Sequence, residues 1–332
     1  MSSTPHDSLF KHTFSQPQHA IELFRSVLPP AVVPHIDFDT LQVEPASFID
    51  DELRARFSDL LFGVHLAGQP AYLYLLFEHQ SKPERFMCRR LLRYVLDTWD
   101  HHFKNHYEAR YLPVVIPIVL HHGEKGWTEP VSLRDLYDAP AEMLDALRPF
   151  LPELTFLLDD LAPRDDAVLR ARALSAVVLM TLWAFKHVRH DRDVLPELLQ
   201  ILDLIVAMVD APSGLAALNV LVRYIIEVAG TPVRDIKVIL DQLRRPEVSE
   251  IVMTAAEQLR EEGRKEGRKE GHKEGHKEGQ RENLLMLLNQ RFGPLPESVL
   301  GHIRRAELAQ LQRWFERGIT ARSLDAVFTD EP

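Results

Sequence analysis

The sequence predicts a mixed α/β unit followed by helices, and three observations carry that prediction. Apolar runs at 57–78 and 112–123 have strand length and end in turn residues. Segments on either side of them repeat their apolar residues at helical spacing, and from about Ala141 every apolar run does so. The expected order in the first unit is α-β-β-β-α-β, a sheet with helices on its faces. The expected divisions are an α/β core at 1–140, an all-helical domain at 141–260, a charged spacer at 261–282 and a small helical module at 283–332.

Taken in order, PQHAIELFRSVLPP (17–30) places Ile21, Phe24 and Leu28 at helical spacing and stops at two prolines. LQVEP (41–45) is a short strand candidate. FSDLLFGVHLAG (57–68) and AYLYLLFEHQ (71–80) flank a GQPA turn and read as a hairpin. A helix is expected over 84–108, with Leu91, Leu92, Val95 and Trp99 on one side and the arginines on the other. LPVVIPIVLHHG (112–123) is too short for a helix, although its two prolines are unusual for a central strand. LSAVVLMTLWAF (174–185) falls well short of the roughly 20 residues that cross a bilayer, so it reads as a buried helix.

Composition narrows the setting. The chain has 332 residues, 45% of them apolar and 27% charged, as in an ordinary globular protein. Its single cysteine, Cys88, excludes an intrachain disulfide and suits a reducing, cytoplasmic environment; in a helix with apolar neighbours it reads as core packing. The N-terminus has no charged region leading into an apolar one, so no secretory signal is expected. A net charge of -10 weighs against a polyanionic partner, but 82–110 carries a local excess of +3.

EGRKEGRKEGHKEGHKEGQRE (262–282) has no apolar side chain, and its glutamates precede basic residues by three positions. Each of its five glycines costs a helix about 1 kcal/mol relative to alanine. Seven acidic and seven basic residues balance over 261–282, so this is not a polybasic arm. The leading reading is a solvated, partly helical spacer. Two others stay open: a helix running between flanking helices and paired with another chain, or a metal held by His272 and His276.

The candidate chemistry lies at the hairpin. In YLYLLFEHQSKP (72–83), Glu78 and Gln80 share a strand face. With the turn around 67–71, Asp59 is expected almost opposite Glu78, at about 5 Å between side chains. Two carboxylates that close repel unless a cation lies between them. Asp59, Glu78 and the backbone carbonyl of His79 would give a Mg²⁺ ion part of its shell. The structural alternative is a solvent-facing pair, one member accepting backbone hydrogen bonds.

FSDLLF followed some twenty residues later by LLFEHQS resembles the PD-(D/E)XK nuclease superfamily. More narrowly it resembles the bacterial Rpn family of recombination-promoting nucleases and putative transposases. HDSLFKHTFSQPQHAIELFRSVLP, EPASFIDDELRARFSDLLF, RRLLRYVLDTWDHH and VIPIVLHHGEKGW fit that family in order, over residues 6 to about 260. Residues 282–328 resemble a short module often attached to such nucleases.

The resemblance implies a restriction-endonuclease-like core that cleaves double-stranded DNA with Mg²⁺ or Mn²⁺. It implies catalytic roles for Asp59, Glu78 and Gln80, the two acids being metal ligands. Gln80 stands where the superfamily has lysine; an amide orients a water or phosphate oxygen but carries no charge. Base duty would then fall to water or substrate phosphate. Asp7 and Lys11 match an N-terminal Asp-X-X-Phe-Lys pattern and either complete the site or form an ion pair. Glu22 is a candidate third carboxylate, against an ordinary solvated helix face. Arg89, Arg90 and Arg93 are candidate DNA-phosphate contacts. His121 and His122 read as loop residues, and Asp50, Asp51 and Glu52 as a solvated turn. The leading expectation is a recombination-promoting endonuclease in the cytoplasm, not in a membrane. The alternative is a catalytically weak or inactive nuclease-like protein that binds DNA or directs assembly. A third reading makes the tail an oligomerisation device, a homo-oligomer forming through the repeat and the module.

Overall fold

The computed structural model describes residues 4–45, 58–78, 83–189 and 192–328. The chain divides into two compact units, 1–256 and 257–332.

The first unit opens with helices α1 (Pro5–Phe14) and α2 (Pro17–Val27), each with proline in its first turn, where the missing N–H loses no helical bond. Five strands follow: β1 (Ile36–Val43), β2 (Ser58–Leu66), β3 (Gln69–Glu78), β4 (Val114–His121) and β5 (Leu157–Asp160). They form one sheet in sequence order, antiparallel through β1, β2 and β3 and parallel through β3, β4 and β5. The sheet is therefore mixed, and β3 is its centre. This explains why residues 71–78 are buried without alternation: both faces of the central strand are covered.

The β2–β3 turn is the two-residue loop Ala67–Gly68, both at positive φ (48° and 80°), the handedness that matches strand twist. Pro117 is accommodated in β4 because β5 begins its pairing one residue later, at Ile118. At the proline that edge of β4 has no ladder bond to lose.

On one face of the sheet, Phe10 of α1 stacks on Phe77 with ring centres 4.8 Å apart. Phe185 of helix α6 (Ala176–His187) meets the same ring at 4.3 Å. Helix α6 is buried over almost its whole circumference, as its unbroken apolar run requires. The other face is covered by α3 (Met87–Asn105), whose Leu91 and Tyr94 join Tyr74, Leu76 and Val119 in a second core.

Two expectations are corrected here. The segment expected to be all helical, 141–260, contributes β5 to the sheet. Its helices α4 (Ala141–Leu147), α5 (Asp166–Arg170), α6, α7 (Leu195–Leu199), α8 (Leu202–Val209), α9 (Gly214–Ala229) and α10 (Val233–Leu240) are otherwise as read. The apolar core from α1 through the sheet to α9 and α10 is continuous. Arg90, expected on the polar side of α3, is buried on its inward side.

Helix α11 (Pro246–Phe292) runs through the charged repeat without interruption, more helical than the leading sequence reading. Packed turns at both ends, Val248 and Val252 before the repeat and Leu284 and Leu288 after it, supply the nucleus that the glycine-rich stretch lacks. In the second unit, Leu284 and Leu288 pack with Ile303 of α12 (Glu297–Arg305), Leu311 of α13 (Leu308–Thr320) and Val327 of α14 (Asp325–Phe328). Among the described residues no helix is long and apolar enough to cross a membrane.

Candidate active site

The parallel strands β3, β4 and β5 end in one row, with Glu78 paired to His121 and His121 to Asp160. Asp59, near the start of antiparallel β2, comes to the same end of the sheet. Because side chains alternate, Asp59, Glu78, His121 and Asp160 all emerge on the face covered by α3. Carboxyl ends of parallel strands are the usual place for a ligand in such sheets.

The register corrects one expectation. Asp59 pairs with Leu76, so Glu78 is its diagonal neighbour rather than its opposite. The cause is the tight Ala67–Gly68 turn, which centres the hairpin earlier than a turn at 67–71 would. Diagonal residues on one face lie about 7–8 Å apart. That spacing leaves room for a cation or water between the two carboxylates.

Both acids are buried, Asp59 at 5% and Glu78 at 0% exposure, so each needs compensation. The Tyr74 hydroxyl donates to Asp59 Oδ2. Arg90 Nη2 lies 3.0 Å from Glu78 Oε2, while its Nη1 pairs with Glu84. Desolvation holds the Asp59 carboxyl above its usual range, against the opposing pull of the Tyr74 hydrogen bond and the charges of Lys11 and Arg90. Tyr94, stacked on Tyr74 at 4.8 Å, has its phenol pushed up to about 12 by burial and by the Asp59 charge. Asp59 is a carboxylate short of positive charge.

His121 ends a strand and is fully buried, whereas the sequence reads as a loop there. Its Nδ1 is 2.9 Å from Asp160 Oδ1, and its Nε2 accepts the Gly123 N–H at 3.3 Å. A Cβ on residue 123 would fall 2.5 Å from that Nε2, so the turn after β4 requires glycine. Asp160 also accepts the Trp127 N–H at 2.6 Å and the Ala162 N–H at 3.3 Å. Burial works to raise its carboxyl, but these bonds together hold it below the usual range. The pair shapes the wall of the site. His122 faces the other core, where its ring stacks on Phe77 at 4.8 Å.

His79 and Gln80 lie outside the described residues, as do Asp50, Asp51 and Glu52. Asp7 closes a capping box with Thr4 at the start of α1. Lys11, one turn on, is exposed and acts on Asp59 through its charge. Glu22 Oε2 accepts the Ser175 N–H at 2.6 Å, at the start of α6. Arg89 and Arg93 are exposed on α3, while Arg90 is turned into the carboxylate pair. Cys88 is buried, its thiol pushed up to about 11 by desolvation, which makes it an inert core residue. His272 and His276 are exposed on α11.

Among the described residues no three His, Cys, Asp or Glu side chains gather as a ligand set. Two buried carboxylates on one face nonetheless fit Mg²⁺ in kind, since that ion takes one or two carboxylates and fills its shell with water and phosphate oxygens. Sequence reasoning missed Tyr74, Glu84 and Asp160, and it gave Arg90 a phosphate-contact role and His121 a place in a loop. The spacing of Met87, Leu91, Tyr94 and Thr98 was the available signal for Arg90, which falls on the same helical stripe.

A mixed sheet clad in helices, with paired buried carboxylates at its strand ends, defines an α/β protein with an acidic strand-end site. The family model described as "Putative transposase, YhgA-like" matches residues 4–215, and the chain belongs to that family. Recombination-promoting nuclease RpnA of Escherichia coli (strain K12) is 32% identical over 268 residues, 79% of this chain and 85% of the relative. Inactive recombination-promoting nuclease-like protein RpnE of the same strain is 32% identical over 266 residues, covering 79% and 83%. Recombination-promoting nuclease RpnD of Escherichia coli O157:H7 is 30% identical over 270 residues, covering 78% and 95%. No solved structure matches the chain.

Proposed function

We propose that this chain is a metal-dependent endonuclease of the PD-(D/E)XK type that hydrolyses phosphodiester bonds in double-stranded DNA and promotes recombination. The observation that carries the reading is the burial of Asp59 and Glu78 on one sheet face at the carboxyl end of β3. The relatives named as nucleases support the same reaction class.

Asp59 and Glu78 would hold Mg²⁺ or Mn²⁺, with the His79 carbonyl as a further oxygen donor. A bound divalent ion lowers the pKa of water and stabilises charge on a phosphate under attack. Tyr74 fixes the direction of Asp59 by donating to one oxygen, which leaves the carboxylate oriented for a second interaction. Gln80 would orient the attacking water or a phosphate oxygen, and the proton released goes to solvent or substrate phosphate. Arg89 and Arg93, exposed on α3, would meet DNA phosphates; Arg90 would not, because it is already paired with Glu78 and Glu84.

A second reading has its own support. A relative 32% identical is named inactive, and Glu78 is held by a guanidinium. In that reading the chain is a catalytically weak or inactive nuclease-like protein that binds DNA or directs assembly. Supercoiled plasmid incubated with the protein, with and without Mg²⁺, beside Asp59→Ala decides between them. Nicking that needs both the ion and Asp59 supports the endonuclease; DNA binding without cleavage supports the second reading.

A further inference from the structure

The C-terminal end of α3 carries a second cluster of chemistry, away from the two carboxylates. His102 lies in the last turn and His106 caps the helix, its N–H on the His102 carbonyl at 2.8 Å. Side chains four residues apart are neighbours on a helix surface, and here the ring centres are 4.5 Å apart. His102 is 3% exposed, and its Nδ1 lies 2.9 Å from the hydroxyl of Tyr72 on β3. That bond leaves Nε2 for another partner. Both histidines line a pocket of about 880 Å³ between the start of β3, the end of α3 and residues 107–114. Tyr72 and Glu78 are six residues apart on β3, so roughly 20 Å of strand separates this pocket from the carboxylate site. The proposed cleavage makes no use of it.

The geometry points to a transition-metal site: His102 and His106 together bind an ion of the Zn²⁺ class. Imidazole nitrogen suits Zn²⁺, Cu²⁺ and Ni²⁺, whereas Mg²⁺ takes oxygen. Rings this close can each present a nitrogen to one ion at the usual Zn–N length of about 2.0–2.1 Å. Tyr72 supplies the partner that a metal-bound histidine needs behind it. By accepting the Nδ1 proton, its hydroxyl fixes the tautomer that has a lone pair on Nε2. Burial, with the neighbouring His106 and His101, holds His102 below the usual imidazole range, so that lone pair is present at neutral pH. The helix end helps too, because the carbonyl end of a helix dipole favours positive charge. Glu108 and Arg110 on the pocket wall offset each other in charge. Among the described residues no third His, Cys, Asp or Glu joins the pair, so the ion keeps its other positions for water or an entering ligand. His101 instead turns its Nε2 to Asn105 Nδ2, at 2.9 Å. His272 and His276 share the spacing but are both exposed, so burial fixes neither ring.

Calorimetric titration of Zn²⁺ into untagged, metal-depleted full-length protein tests the site, with Mg²⁺ in excess to occupy oxygen donors. Wild type is expected to bind Zn²⁺ saturably. His106→Gln, at an exposed position where the fold tolerates exchange, is expected to abolish that binding. Tyr72→Phe keeps both ligands and removes only the hydroxyl. Its affinity should fall about tenfold, the lower end of the loss seen when the hydrogen-bond partner of a metal-bound histidine is removed. His101→Gln, Asp59→Asn and the double variant His272→Gln/His276→Gln should bind as wild type does. Zn²⁺ should also raise the melting temperature of wild type and leave that of His106→Gln unchanged, since an ion bound only by the folded chain stabilises it. Absence of saturable binding in wild type overturns the proposal, as does binding that survives His106→Gln or disappears with His272 and His276. Wild-type affinity in Tyr72→Phe overturns the part given to His102, because a ligand ring freed from its partner cannot bind equally well.

Discussion

The Arg90 guanidinium lies 3.0 Å from Glu78 Oε2, and both side chains are withdrawn from solvent, Glu78 completely. Removing one member of such a pair leaves the other buried without its partner, a loss of about 3–5 kcal/mol where no second partner exists. Glu84 remains for Arg90, so Glu78→Gln is expected to destabilise the metal-free protein by about 2 kcal/mol, below that range. Urea unfolding measures it. Cleavage of plasmid should be lost in the same variant.

Asp59 should behave in the opposite way. Desolvation raises its carboxyl, so the folded chain binds that proton more tightly than the unfolded chain does. Stability then rises as pH falls through the raised value toward the unfolded one, and above the raised value the charged form works fully against folding. Asp59→Asn removes the charge and keeps an acceptor for Tyr74. We expect the variant to be more stable than wild type by about 1 kcal/mol at pH 8, a gain of about 2–4 °C in melting temperature. The difference should close near pH 4.

The strand placement of Asp59 and Glu78 is legible in the sequence, and the reason is local. Asp59 opens one apolar run and Glu78 closes the next, so two acids stand out at the ends of otherwise apolar strands. Their register is not legible, because one residue in the turn decides it and alanine at positive φ carries no signal in sequence. Arg90 is hidden for a related reason. Amphipathic reading assigns arginine to the wet side of a helix, and only the acids from another element reverse that assignment. β5 is missed because four residues between helices carry too little periodicity, and parallel pairing with β4 supplies what local preference does not.

Asp160 offers a pH test away from the two carboxylates. Burial alone would raise it, but the bonds from His121 and from the Trp127 and Ala162 N–H groups hold it below the usual range. A depressed carboxyl contributes stability that is present above the unfolded value, near pH 4, and is lost as pH falls through the folded one. Asp160→Asn should therefore cost about 1–3 kcal/mol at pH 7, as expected for hydrogen bonds to a charged group. Wild type and variant should converge in denaturant midpoint as the pH is taken below the unfolded value. A constant gap down to pH 3 would mean that packing, not charge, fixes this corner.

The turn between β2 and β3 gives a test of the fold itself. Ala67 sits at φ 48°, where a Cβ clashes with the following carbonyl, while Gly68 at φ 80° has no such penalty. Left-handed backbone costs an ordinary residue about 1–2 kcal/mol. Ala67→Gly relieves that strain but frees the unfolded chain, which returns part of the gain. Ala67→Asn relieves it through a residue that tolerates this conformation without the same entropy. The expected order of stability is Asn above Gly above Ala, with Asn ahead of wild type by about 0.5–1 kcal/mol.

The last expectation concerns the boundary between the two units. Residues 1–256 contain both sheet-facing cores, and α11 contributes Val248, Val252 and Ala255 to the larger one. The second unit has its own small core around Leu284, Leu288, Ile303 and Leu311. A chain ending after Ala256 keeps every buried residue of the first unit, so its melting temperature should stay within about 2 °C of the corresponding transition in the full chain, a change below about 1 kcal/mol. Plasmid cleavage should persist, because Asp59, Glu78 and Arg90 all lie before the cut. If the truncated protein instead fails to fold, the repeat and module are part of one cooperative structure. If it folds but its mass in solution drops to that of a single copy while the full chain is larger, the tail holds the assembly together.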